Sequence, residues 1–161
     1  MKKVLIALDY DPTAQKVAET GFSLAKTMDA KVILLHVISD PIHYSSASHI
    51  KIIGFAGCTD TTPLPLDSPA ELRDASLFFL DNTKRYLGDE TIQILVKEGD
   101  MAATIMKTAE NMHVSVIVMG SHSRKCLENI VMGGVTEEVL NNTSIPLFIV
   151  PTKKHDSKII V

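Results

Sequence analysis

Short apolar runs alternate with stretches of helical period along most of the chain, and few folds accommodate that alternation. Residues 4–8 form a continuous apolar run closed by Asp9, and a run without polar interleaving marks a strand buried on both faces. Asp11 is then placed to cap a helix with Pro12 at its first position. Beyond them Val17, Ala18, Gly21, Phe22, Ala25 and Met28 recur every three or four residues and give that helix one apolar face. Gly21 on that face lets helix and sheet approach closely. Residues 32–38 are a second buried strand, completing a βαβ unit whose crossover should be right-handed. Ser68, Pro69 and Glu71 have the spacing of a capped helix start. The helix is predicted to run to about Leu87, with Leu72, Ala75, Phe79, Thr83 and either Tyr86 or Leu87 inward. Residues 91–97 alternate in part, as a strand near a sheet edge does. Gly99 and Asp100 lead into a helix with Ala102, Ile105, Met106, Ala109 and Met112 on one face. Residues 116–119 are a fourth strand, broken at Gly120. A fourth helix follows, with Leu127, Ile130, Val131, Val135 and Val139 inward, and then residues 147–150 between Pro146 and Pro151. Five strands alternating with four helices mean an α/β sandwich around a mainly parallel sheet.

The 161 residues suit one domain, and the 45% hydrophobic content supplies its core. A net charge of -3 gives no general pull toward nucleic acid or an anionic membrane. Cys58 and Cys126 lie far apart with no C-x-x-C spacing, which indicates neither a disulfide framework nor zinc and fits a reducing, cytoplasmic setting. The apolar run at the start stops at Asp9, too early for a secretion signal, and no stretch approaches the roughly 20 apolar residues that span a bilayer. Residues 39–68 fit neither period. A segment of that length within a compact domain is usually a functional or mobile loop, here a candidate lid. Its His43, His49 and Cys58 match no zinc spacing.

The chemistry concentrates where the fourth strand ends. Gly120, Ser121, His122 and Ser123 lead through the basic pair Arg124–Lys125 toward a helical pattern that carries Gly133 and Gly134. These two lie inside that pattern or at its start; a glycine inside a helix costs about 1 kcal/mol against alanine, so glycines there suggest a close approach to the backbone. Exposed N–H groups in such a turn, with the partial positive charge of a helix N-terminus, favour an anion. Arg124 and Lys125 read equally as phosphate-steering cations and as a solvated surface pair. Cys126 at the helix start is either a thiol of lowered pKa or an inert buried one.

These residues, with the similarity along nearly the whole chain, resemble the universal stress protein family, whose nucleotide-binding members carry G-x-x-G-x9-G-[ST] after the fourth strand. Here the second glycine is Ser123 and the closing Ser/Thr is Gly134. Ser123 adds a Cβ where the backbone calls for positive φ. Gly134 gives up a hydroxyl but keeps its N–H, which trims a site by about 0.5 to 1.5 kcal/mol rather than abolishing it. Competing doubly wound folds fail on chemistry. The third strand ends without a receiver's phosphoacceptor, Asp9 and Asp11 would repel a flavodoxin's phosphate, and no Gly-Lys-Ser/Thr P-loop is present.

The resemblance implies strand order 3-2-1-4-5 over residues 1–151, with a tail at 152–161 that is either disordered or laid on a neighbour. The ligand then sits beyond the strand ends, where the order reverses. By the same resemblance, ATP, with or without Mg2+, would meet Ala7, Leu8 and Asp9 at the end of the first strand and the backbone of Val37 at the adenine edge. Met119, Gly120, Ser121, His122 and Ser123 would line ribose and phosphate, and Gly133, Gly134, Val135 and Thr136 the phosphate floor. Asp9 suits a ribose or amine donor and Thr136 a phosphoryl oxygen; Asp9 also reads as a cap of its own turn. The implied function is a stress-response protein with an adenine nucleotide as regulatory ligand. The rivals are a slow ATPase using His122 or Thr136 to orient water, and an interaction module of the same fold without nucleotide. Leu147, Phe148, Ile149 and Val150 form an apolar edge strand of the kind that pairs with another chain; in this family it often builds a homodimer.

Overall fold

The computed structural model describes residues 1–10, 13–39, 68–121 and 132–152. Among them the chain runs β1 (Lys3–Ala7), α1 (Ala14–Thr27), β2 (Lys31–Ile38), α2 (Pro69–Leu87), β3 (Gln93–Glu98), α3 (Met101–Asn111), β4 (Val116–Gly120), α4 (Gly134–Asn142) and β5 (Leu147–Val150). The sheet has the order β3-β2-β1-β4-β5, and every pairing is parallel. Both neighbours of β1 are laid in register, Val4 opposite Val32 on one side and Val116 on the other. The order therefore reverses between β1 and β4, as expected from the resemblance.

Alternate residues of the central strands feed two cores. Val4, Ile6, Leu34 and Val118 face one layer with Val17, Ala18, Leu72, Phe79 and Leu80 of α1 and α2. Leu5, Ile33, Leu35 and Ile117 face the other with Ala102, Ile105, Ala109 and Val139 of α3 and α4. Gly21 marks the tightest approach, since a Cβ there would stand 2.7 Å from Ile6 Cδ1 and 3.1 Å from Val118 Cγ1. A side chain at that position would require the Ile6 side chain or α1 to shift.

The helix starts follow from local chemistry. At α2, the Glu71 N–H donates to Ser68 Oγ (3.3 Å) and the Ser68 N–H to Glu71 Oε2 (3.2 Å), the reciprocal capping box that the spacing predicts. Gly88, at φ 71°, closes that helix in the left-handed region. Asp100 caps α3 by accepting from the Ala103 N–H at 2.9 Å.

The described residues bear on four expectations. The described part of α1 begins at Ala14, preceded by Thr13 in the helical region at φ -86° and ψ -5°; Asp11 and Pro12, expected as its cap and first residue, lie outside the described residues. In α2 it is Leu87 that packs against the core, while Tyr86 turns outward and donates to Glu19 of α1. That bond holds the Glu19 carboxyl below the usual carboxylate range. Gly133 and Gly134 are the cap and first residue of α4, with Gly133 at φ -70° and ψ 152°, so neither incurs the mid-helix glycine cost. Thr152, at the expected start of the tail, is buried against Ser121. Leu127, Ile130, Val131, the histidines and cysteine of the long segment, Arg124, Lys125 and Cys126 all lie outside the described residues.

Candidate functional site

Where the sheet order reverses, the ends of β1 and β4 diverge and a cleft opens between the two layers. It encloses about 650 Å³, its open mouth included. Ala7, Leu8 and Asp9 line it from β1, Met119 and Gly120 from β4, and Gly133, Val135 and Thr136 from the start of α4. Val37 of β2 lines it too; of the other residues expected there, Ser121 and Gly134 are not among the lining residues. Two turns some 110 residues apart in the chain thus share one hollow, apolar at its floor with a few polar groups, the usual character of a small-molecule site.

Each polar group is held in a definite way. The Asp9 carboxylate is half-buried, and its Oδ1 accepts from the Tyr10 N–H at 2.8 Å. It therefore caps its own turn, yet a carboxylate has about four acceptor positions, so this bond does not exhaust it. The Leu8 carbonyl accepts from His36 Nδ1 at 2.8 Å, deep in the sheet. Opposite, the Gly133 N–H donates to the Ser121 carbonyl at 2.7 Å and closes the Gly120 turn onto the head of α4. Thr136, itself buried, donates its hydroxyl to the Gly120 carbonyl at 2.9 Å. Its single proton is committed within the protein, so toward a ligand Thr136 offers an acceptor oxygen. The Ser121 hydroxyl points away from the cleft: it accepts from the Thr152 N–H at 3.0 Å and lies 3.3 Å from Thr152 Oγ1. Gly134 is not among the described residues that line the wall, and a Cβ added there meets none of the described residues within 4 Å. His122 and Ser123 fall outside the described residues.

The walls also include Thr13, Ala14 and Val17 of α1, Leu35 of β2, and Met101 and Ile105 of α3. Two of these placements agree with sequence spacing once the cleft is known. Leu35 stands two residues before Val37 and so shares its face. Met101 and Ile105 are an i, i+4 pair in the first turn of the helix that follows β3. Among the described residues no group of three His, Cys, Asp or Glu side chains is disposed to hold a metal ion.

Comparison with known proteins identifies the family and the fold. The model of the universal stress protein family matches residues 1–151. Universal stress protein MJ0577 of Methanocaldococcus jannaschii is 30% identical, the match covering 94% of this chain and 96% of that protein. Stress response protein NhaX of Bacillus subtilis is 25% identical over 92% of this chain and 96% of its own. The solved structure of MJ0577 superposes with a TM-score of 0.73 at 26% identity, covering 96% of this chain and 98% of that one. A universal stress protein solved in complex with cAMP shares the fold, with a TM-score of 0.62 at 14% identity, covering 94% and 98% of the two chains.

Proposed function

This chain belongs to the universal stress protein family, and from that premise we propose that it is a cytoplasmic stress-response protein whose β1–β4 cleft binds ATP or a related adenine nucleotide as a regulatory ligand. The observation that carries the reading is the meeting of the Asp9 turn with the Gly120 and Gly133 turns around one hollow. The apolar floor of Leu35, Val37, Met101, Ile105 and Met119 suits a purine ring. Asp9 at the rim suits a ribose hydroxyl or an exocyclic amine. The head of α4, capped by a glycine backbone alone, suits a phosphate. The nucleotide then bridges both layers of the sandwich, so its loading is a signal that any partner reading those surfaces can detect. The cAMP complex of a fold relative is in keeping with a nucleotide at this type of site. Pairing of two copies through β5 would make the working unit a homodimer. No described helix is long and apolar enough to cross a membrane.

Isothermal titration of the protein with ATP, with and without magnesium, tests the reading. Saturable heat at one site per chain, with a rise in melting temperature on loading, is expected. Neither heat nor a thermal shift at millimolar nucleotide would reject it. A second reading, an interaction module of this fold without nucleotide, is favoured by one feature: both motif departures, Ser123 and Gly134, remove recognised phosphate-side elements at once.

A further inference from the structure

The residue after Asp9 leaves the cleft and enters the opposite layer. Tyr10 is 5% exposed, packed among α1, α2 and the sheet. Its ring lies 4.5 Å from that of His36 and 5.1 Å from that of Phe79, centroid to centroid. Its hydroxyl reaches Ser76 Oγ of α2 at 2.6 Å in a fully buried contact. The direction of that bond follows from the neighbouring one. Ser76 Oγ donates to the Leu72 carbonyl at 2.8 Å, so its single proton is spent and Tyr10 must be the donor. His36 Nδ1 faces the Leu8 carbonyl at 2.8 Å, and because a carbonyl only accepts, that nitrogen carries the proton.

One short segment is therefore held from three directions: Leu8 by His36, the Asp9 carboxylate by the Tyr10 N–H, and Tyr10 by Ser76. None of the described α2 residues lines the cleft. Yet α2 grips, through the Ser76 hydroxyl and the Phe79 ring, the residue whose N–H fixes the rim carboxylate. Resting on the nucleotide reading of the cleft, we infer that Tyr10 and Ser76 are a positioning pair. Their bond sets the Asp9 turn for ligand, and by linkage cleft occupancy stiffens α2 on the far side of the sheet. Helix α2 is then the element through which a loaded cleft is felt in the other layer.

The test compares Tyr10→Phe, Ser76→Ala and the double variant with Thr83→Val. Thr83 is an equally buried α2 hydroxyl that donates to the Phe79 carbonyl at 2.8 Å and has no tie to the cleft. Without nucleotide, amide exchange at Tyr10 should quicken in Tyr10→Phe and in Ser76→Ala, and stay at the wild-type rate in Thr83→Val. With ATP, each of the two single variants should bind about two- to tenfold more weakly, the factor that one hydrogen bond represents. The double variant should lose no more than either single one, because all three remove the same bond. Thr83→Val, though it destabilises the fold, should bind as the wild type does. Wild-type exchange at Tyr10 in Ser76→Ala, or an equal loss of affinity in Thr83→Val, would overturn the positioning role. Should the wild type itself take up no ATP, the nucleotide reading fails with the ligand-linked half of this inference, and the exchange comparison still decides whether the pair holds the turn.

Discussion

Asp9, Gly133 and Thr136 serve the cleft for different reasons. Asp9 contributes charge, half-buried and steadied by its neighbour's N–H. Gly133 contributes backbone, joining the Gly120 turn to the head of α4 without a side chain in the way. Thr136 contributes rigidity, since its hydroxyl is tied to the Gly120 carbonyl and it holds the wall rather than donating outward. Gly134 stands apart from these. A Cβ there meets no described residue within 4 Å and the residue opens a regular helix, so none of those residues stands in the way of a serine. Restoring both departures from the family motif, Ser123→Gly with Gly134→Ser, should tighten ATP binding about threefold to tenfold, since one hydroxyl donor and the motif's second glycine return. Titration calorimetry on the double variant checks this. An unchanged affinity would show that these positions do not limit binding and would favour the nucleotide-free reading.

At the scale of elements, β5 carries the clearest exposed chemistry. Among the described residues it pairs with β4 on one side only and ends the sheet. Phe148 on it is 40% exposed and Leu140 of the adjoining α4 47% exposed. An apolar edge with open backbone groups is stabilised by pairing with a second strand. If two copies join there, Phe148→Lys should shift the protein to monomer in sedimentation velocity at micromolar concentration, leaving the far-UV spectrum unchanged. A dimer that survives the substitution would move the contact elsewhere. The elements themselves were legible because their signals are local: β1 and β2 are unbroken apolar runs, and Ser68 with Glu71 is a complete capping box. What escaped was decided by tertiary contact. Tyr86 and Leu87 are adjacent, and the tyrosine turns outward to Glu19 and Gln15 of α1.

For the whole molecule, the decisive property is the reversal of strand order between β1 and β4, which opens a cleft without any residue being designed to make a hole. The polar rim could be read in advance because a carboxylate or a glycine pair is conspicuous at a strand end. The apolar floor could not. Leu35, Met101 and Ile105 are indistinguishable in sequence from core residues, and what separates them is that the layers part above them. Ser121 shows the converse, a polar loop residue that turns inward to Thr152 and closes the end of β5. The central claim, that one adenine nucleotide occupies this cleft, is tested most directly by following the backbone amides in a 15N NMR titration with ATP. Saturable shifts are expected at Ala7, Leu8, Asp9, Gly120, Gly133 and Val135, with the β3 edge unaffected. Shifts gathered elsewhere on the surface, or none at millimolar ATP, would contradict it.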